Sequence, residues 1–330
     1  MNKRQRVIQA VNHQQTETVP YQISLTKEAE EKVIDHVGNQ EYLKTIGNHI
    51  TGYQPGYFEE IKTDHFQDHF GVVWNRTVDK SIGIVEEYIL QEKDLSDYKF
   101  PDPEEVVDRE KMEKLEAEEE KFRSFMIGFS MFERAWSLLG MEQLLTDMLL
   151  NPDKVNKLFD EILEYNLKLI DIGIEYDIDA VYFGDDWGEQ NSLIMGAKLW
   201  KKFIKPRMAK MYEKAKSGGN YIVQHSCGAV QELFPDLIDI GLDIFNTFQP
   251  EIMDPQEMKQ KFGDKLTFYG GISTQQVLPF VKPQELREEI RRMISIVGEN
   301  GGYILAPTHA IPKDVPVENI LTFIDLAQNQ

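Results

Sequence analysis

The residues best suited to chemistry in this chain sit in the stretch "YIVQHSCGAV", residues 221–230, which holds the single cysteine of the sequence, Cys227, two positions after His225. At the end of a strand, residues i and i+2 point the same way, so an imidazole and a thiol spaced H-x-C can face one ion. Nitrogen and sulfur together suit zinc, which favours tetrahedral sites of such ligands. Two ligands do not complete a site. His309, beyond the last apolar stretch, is placed to converge on the pair, and Asp185 or Glu133 can substitute for it or join it. The same spacing also fits a cysteine packed as a small hydrophobe beside a hydrogen-bonded histidine. The dicarboxylate Asp185-Asp186 in "GDDWGEQ" likewise reads either as reactive carboxylates or as the cap of a following helix.

These groups need a scaffold that brings strand ends together. Short segments rich in valine, isoleucine, tyrosine and phenylalanine alternate with longer amphipathic ones, and seven strands are expected: Val19–Ser24, Ser124–Phe129, Ala180–Phe183, Tyr221–Gln224, Ile244–Thr247, Leu266–Tyr269 and Tyr303–Ala306. The helices between them have readable boundaries. Asn151-Pro152 opens one that runs toward Glu175, and Asp254-Pro255 opens another that closes at Gly263. Gly218-Gly219 ends a helix in which Pro206 is expected to make a kink, Gly241 ends one, and Pro283 and Pro316 open the last two.

Strand, loop, helix, strand, repeated along the chain, calls for a parallel sheet. No GxGxxG or GxxxxGK[ST] follows the first strand, which favours a (β/α)8 TIM barrel over a nucleotide-binding open sheet. The expected organisation is a single domain over residues 1–330. An N-terminal hairpin insertion spans about 60–103: "GVVWNRTVDKSIGIVEEYIL" turns near Asp79–Gly83 and is followed by a polar loop. In such barrels reactive groups stand where strands pass into loops. Read in chain order, those junctions supply Glu133 and Asp185 as catalytic candidates. Asp186, Trp187, Gln224, Gln249, Tyr269 and Trp136 are substrate-binding candidates. Among the nearby aromatics Phe132, Trp136, Trp187 and Phe248, packing in the core and contact with a flat substrate both remain open.

Bulk properties narrow the function. A net charge of −20 argues against nucleic acid and disfavours a polyanionic substrate, unless a local basic pocket overrides the field. No apolar run approaches a membrane span, the N-terminus lacks the apolar core of a signal peptide, and one cysteine forms no internal disulfide; a cytoplasmic protein is expected.

The order of several segments, "VYFGDDWGEQNSLIMGAKLWKKFIKPRMAKMYE", "HSCG", "LIDIGLDIFNTFQP", "KFGDKLTFYGGISTQQVLP" and "GGYILAPTHAIPKDVPVENI", resembles the uroporphyrinogen decarboxylase superfamily over nearly the whole chain. The resemblance implies a (β/α)8 barrel and one of two chemistries. The decarboxylases hold the carboxylates of their tetrapyrrole with an arginine-rich "RQAGRY" element after the first strand; here that place reads "YQISLTKEAEEKV", without arginine. The other branch, the cobalamin-dependent methyltransferases, places zinc on an H-x-C pair and a later cysteine in P-x-C-x-I. His225 and Cys227 match the pair, and Pro307-Thr308-His309-Ala310-Ile311 puts a histidine where that cysteine stands. The resemblance thus implies a zinc site of His225, Cys227 and His309. It also implies methyl transfer between a small donor or acceptor, such as an aryl methyl ether or a thiol, and methylcobalamin on a separate corrinoid protein, since no DxHxxG cobalamin element is present here.

Overall fold

Helix-forming and strand-forming segments alternate as their periodicity dictates, and the strands assemble edge to edge in nearly sequential order. The computed structural model describes residues 1–330 apart from Asp79, Ser81 and Ile82 and the side chain of Glu92. In chain order the strands are β1 (Ile50–Tyr53), β2 (Phe58–Lys62), β3 (His65–Asp68), β4 (Val73–Asn75), β5 (Ile84–Val85), β6 (Phe122–Ile127), β7 (Ala180–Gly184), β8 (Tyr221–His225), β9 (Ile244–Phe248), β10 (Thr267–Ile272) and β11 (Tyr303–Pro307). Seven of them form a curled parallel sheet in the order β1-β6-β7-β8-β9-β10-β11.

The segment Val19–Ser24, expected as the first strand, closes this sheet by isolated contacts instead of a continuous ladder. Gln22 N–H donates to Leu305 O (3.0 Å), Leu305 N–H to Pro20 O (2.9 Å), and His49 N–H to Tyr21 O (3.1 Å). Pro20 has no N–H to give, and side chains replace part of the ladder: Asn48 accepts from Ile23 N–H and donates to Ile23 O, each at 2.8 Å. The result is the barrel that the alternating pattern called for.

Two departures from the expected strands have physical reasons. The strand expected at Ser124–Phe129 begins earlier, at Phe122. Arg123 looks like a surface residue in sequence, but its fully buried guanidinium is paired with Asp179 (3.2 Å) and Asp177 (3.1 Å). Strand β1 was not anticipated. It is four residues long and contains Gly52, where a Cβ would stand 2.8 Å from Met126 Sδ.

Between β1 and β6 the chain builds an antiparallel sheet in the order β2-β3-β4-β5. The expected hairpin is its second half, with Trp74 opposite Val85. Of the turn expected at Asp79–Gly83, Asp79, Ser81 and Ile82 lie outside the described residues. Pro206 acts as foreseen: with no N–H there to close the ladder, a π-turn over Trp200–Ile204 separates helix Gly196–Leu199 from helix Lys205–Ser217. Helix Lys3–Val11 packs Val7 and Val11 among Phe122, Ala180, Val223, Ile244 and Ile304 and plugs one end of the barrel. The other end stays open. Among the described residues, no helix is long and apolar enough to cross a membrane.

Candidate metal centre at the barrel mouth

Parallel register brings Gly184, His225 and Asn246 side by side on β7, β8 and β9. The residues just beyond them therefore converge. Ser226 N–H donates to Asn246 O (2.7 Å), Asp185 N–H to His225 O (3.1 Å), and Trp187 N–H to Ser226 Oγ (2.9 Å). Cys227 N–H donates to Asp186 Oδ1 at 2.8 Å. With the loops held in this way, ligand atoms of Asp186, His225 and Cys227 all lie within 4.8 Å of one another. His225 Nε2 is 3.6 Å from both Cys227 Sγ and Asp186 Oδ1.

The histidine is oriented by a residue that the sequence reading passed over. Asn246 Nδ2 donates to Tyr269 O (3.1 Å), which fixes the amide so that its Oδ1 accepts from His225 Nδ1–H (2.5 Å) and from the Tyr182 hydroxyl (2.8 Å). The Nε2 lone pair is then left facing Cys227 and Asp186, the arrangement that metal-binding histidines adopt. The available signal was a polar side chain inside the apolar run "IFNTF".

Electrostatics favour a cation here. Burial, and then the Asp186 carboxylate, push the Cys227 thiol up, with Glu133 adding to the effect. Burial, then Asp186 and Asp185, push the Glu133 carboxyl well above the usual carboxylate range. The Asp186 carboxylate thus opposes ionisation of both Cys227 and Glu133, and a divalent ion held by Asp186, Cys227 and the exposed lone pair of His225 would offset that repulsion.

The expected site residues separate into groups. His309 is exposed and lines the same cavity as His225, yet it stands outside the 4.8 Å triad, whose third member is Asp186. Partial desolvation at the mouth, and then the neighbouring His225, lower its pKa. Tyr269 and His309 line the barrel cavity of about 280 Å³. Glu133, Trp136, Asp186 and His309 line a second cavity of about 690 Å³, beneath the antiparallel sheet.

Asp185, expected to be catalytic, is instead fully buried at the N-terminus of helix Phe132–Leu139 and lines neither cavity. Its carboxylate accepts from the N–H groups of Met131 (3.2 Å), Phe132 (2.9 Å) and Glu133 (2.8 Å) and from Trp187 Nε1 (2.5 Å). Burial outweighs those donors and raises its pKa to about 6. Trp187 and Gln224, expected to meet substrate, are also fully buried. Trp187 packs against Trp200, and Gln224 Oε1 accepts from the Tyr212 hydroxyl (2.7 Å) on the helix side of the sheet. Gln249 accepts from Gly228 N–H (2.8 Å) and so positions the cysteine loop from an adjoining groove. Phe132 and Phe248 belong to the core.

A parallel barrel with its polar groups gathered at one mouth defines the class of this protein. Within that class, the family model for uroporphyrinogen decarboxylase (URO-D) matches residues 73–330, and the chain belongs to that family. Curated relatives include the uroporphyrinogen decarboxylases of Actinobacillus succinogenes, 24% identical over 192 residues, and Mannheimia succiniciproducens, 23% identical over 181 residues. Each alignment covers 54% of this chain and 49% of the relative, so the chain spans about half the length of the curated relatives it matches. Among solved structures, a methyltransferase from Methanosarcina mazei superposes with a TM-score of 0.75 at 16% identity, covering 100% of this chain and 99% of that one. That likeness shows a shared fold.

Proposed function

We propose that this protein is a zinc-dependent methyltransferase that moves a methyl group between a small substrate and a corrinoid carried on a separate protein, working in the cytoplasm. The observation that carries the reading is the Asp186–His225–Cys227 triad with His225 Nε2 turned toward its neighbours by Asn246. The fold shared with a methyltransferase supports it. Asp186, His225 and Cys227 would hold the metal, and His309 lines the same cavity as His225. Zinc bound there supplies Lewis acidity, which activates a thiol acceptor or polarises the oxygen of a donor such as an aryl methyl ether. Glu133, whose carboxyl burial and then Asp186 and Asp185 push well above the usual carboxylate range, lines the second cavity with Asp186 and would serve as proton donor to a leaving oxygen.

The family and its curated relatives favour a second reading, decarboxylation of a tetrapyrrole. Against it, neither lysine nor arginine lines the barrel cavity among the described residues and only Arg76 and Arg134 line the larger one, so a compound with many carboxylates finds little counter-charge.

Zinc analysis separates the two. The purified protein should carry zinc, and His225→Ala, Cys227→Ser and Asp186→Ala should each lower its retention against a mild chelator by orders of magnitude. His309→Ala should keep most of the metal. Full zinc retention in Cys227→Ser, together with release of carbon dioxide from uroporphyrinogen, would replace the proposed reading by the second.

A further inference from the structure

The cavity under the antiparallel sheet contains polar groups that the metal centre does not use. Arg134 is 5% exposed; among the described residues its Nη1 donates to Asp68 Oδ2 at 2.7 Å and Ser137 Oγ at 3.5 Å, and its guanidinium carbon lies 3.8 Å from the centre of the Phe70 ring. Its Nε is buried without a partner, and so is the hydroxyl of Tyr165, itself 5% exposed. Both residues line the cavity. Asp68 balances the charge of Arg134, but the same carboxylate also accepts from Phe70 N–H (2.9 Å), Val72 N–H (3.0 Å) and Trp74 Nε1 (3.2 Å) and leaves Nε without an acceptor. A buried guanidinium N–H with no acceptor is rare, since each unmade hydrogen bond of a charged group is costly.

One side of the wall is flat and apolar, while Gln54, His69, Arg76, Glu133 and Asn166 supply polar groups elsewhere. Trp74 meets Phe129 edge-on with ring centroids 5.3 Å apart, and Trp136 completes a three-ring cluster at 6.2 Å from each. Phe129 takes a left-handed backbone (φ 53°), unusual for a bulky residue, where the chain leaves β6. A volume of about 690 Å³ accommodates a drug-sized molecule. Asp186 and His309 form part of the same wall, so a ligand in this cavity reaches the mouth.

We propose that this cavity is an anion-anchoring subsite, which takes a planar apolar compound bearing one carboxylate or phenolate oxygen and holds that oxygen on Arg134 and Tyr165. Burial keeps the Tyr165 phenol protonated, so it serves as a donor. The inference leans on the methyltransferase reading only for what happens at the mouth; binding itself needs no metal.

Calorimetric titration with cinnamate and with cinnamyl alcohol, its neutral counterpart, tests the proposal on the full chain. The acid should bind about tenfold more tightly than the alcohol. The paired substitution Arg134→Gln with Asp68→Asn, which removes both charges together, should abolish that preference. Tyr165→Phe deletes only the unpartnered hydroxyl, keeps the fold, and should weaken cinnamate about fivefold while leaving the alcohol unchanged. Equal binding of acid and alcohol by the wild type, no binding of cinnamate, or unchanged cinnamate affinity in Tyr165→Phe would overturn the proposal. Cys227→Ser keeps these reports separate: zinc lost with cinnamate binding intact bears on the metal centre alone, and cinnamate lost with zinc retained bears on the subsite alone.

Discussion

Asn246 does more for the candidate centre than its place in an apolar strand suggests. Its amide, fixed through Tyr269 O, holds one tautomer and one orientation of the His225 ring. Partners of this kind typically account for 10–100-fold in metal affinity. Asn246→Ala should therefore lower zinc affinity by about that factor while leaving all three proposed ligands in place, measured by competition with a chromophoric chelator. An unchanged affinity would show that strand register alone orients the ring. The same scale explains why Asp185 and Asp186, adjacent in sequence, part company: Asp185 faces four donors at a helix N-terminus, whereas Asp186 faces Cys227 and His225.

At the scale of elements, the loop after β8 reaches the mouth only because two glycines let it touch the loop after β7. Gly228 has φ 84°, and a Cβ there would lie 2.3 Å from Gly188 C and 2.4 Å from Gly188 O. In return, a Cβ on Gly188 would lie 2.8 Å from Cys227 O. Backbone stands against backbone, so neither side can yield cheaply. Gly228→Ala combines a left-handed conformation that costs an L-residue about 1–2 kcal/mol with that clash, for a total loss of roughly 2 kcal/mol or more. A urea midpoint unchanged from wild type would show that the two loops separate freely. Zinc retention should fall in parallel, because Cys227 immediately precedes the displaced residue.

For the whole molecule, acid stability is set in part far from the mouth, where the barrel closes. His49 is 2% exposed, accepts from Arg6 Nη1 through Nε2 (2.8 Å) and lies edge-on to Tyr21 at 4.5 Å. Burial, and then Arg6 and Lys3, lower its pKa to about 3. Unfolded, the ring titrates near its ordinary value of 6.5. The unfolded chain thus binds the extra proton first, and this contribution to stability is complete above about pH 6.5 and is lost as pH falls toward about 3. At about pH 5 the loss is on the order of 2 kcal/mol. His49→Gln keeps an acceptor for Arg6 but does not titrate, so its unfolding free energy should change less between about pH 7 and pH 5, by that amount. Parallel pH profiles for the two proteins would contradict the assignment.

What the sequence by itself determined was whatever rests on local spacing. Alternating strand and helix periodicity implied the barrel, because a 2-residue or 3.6-residue repeat is written in neighbouring positions. Asp254-Pro255, Pro206 and Gly263 marked their boundaries for the same reason, and H-x-C placed His225 and Cys227 on one side of a strand end. Tertiary structure decided what depends on residues far apart in the chain. Arg123 is a core residue only because Asp177 and Asp179 meet it. Val19–Ser24 is a closing segment only because Asn48 and Leu305 flank it. Asp186 rather than His309 completes the triad because β7 and β8 are in parallel register, while His309 comes from a loop that stands farther off. The pairing of Arg134 with Asp68, and the cavity they border, arises from a sheet inserted between β1 and β6, a contact across 66 residues that no local pattern encodes.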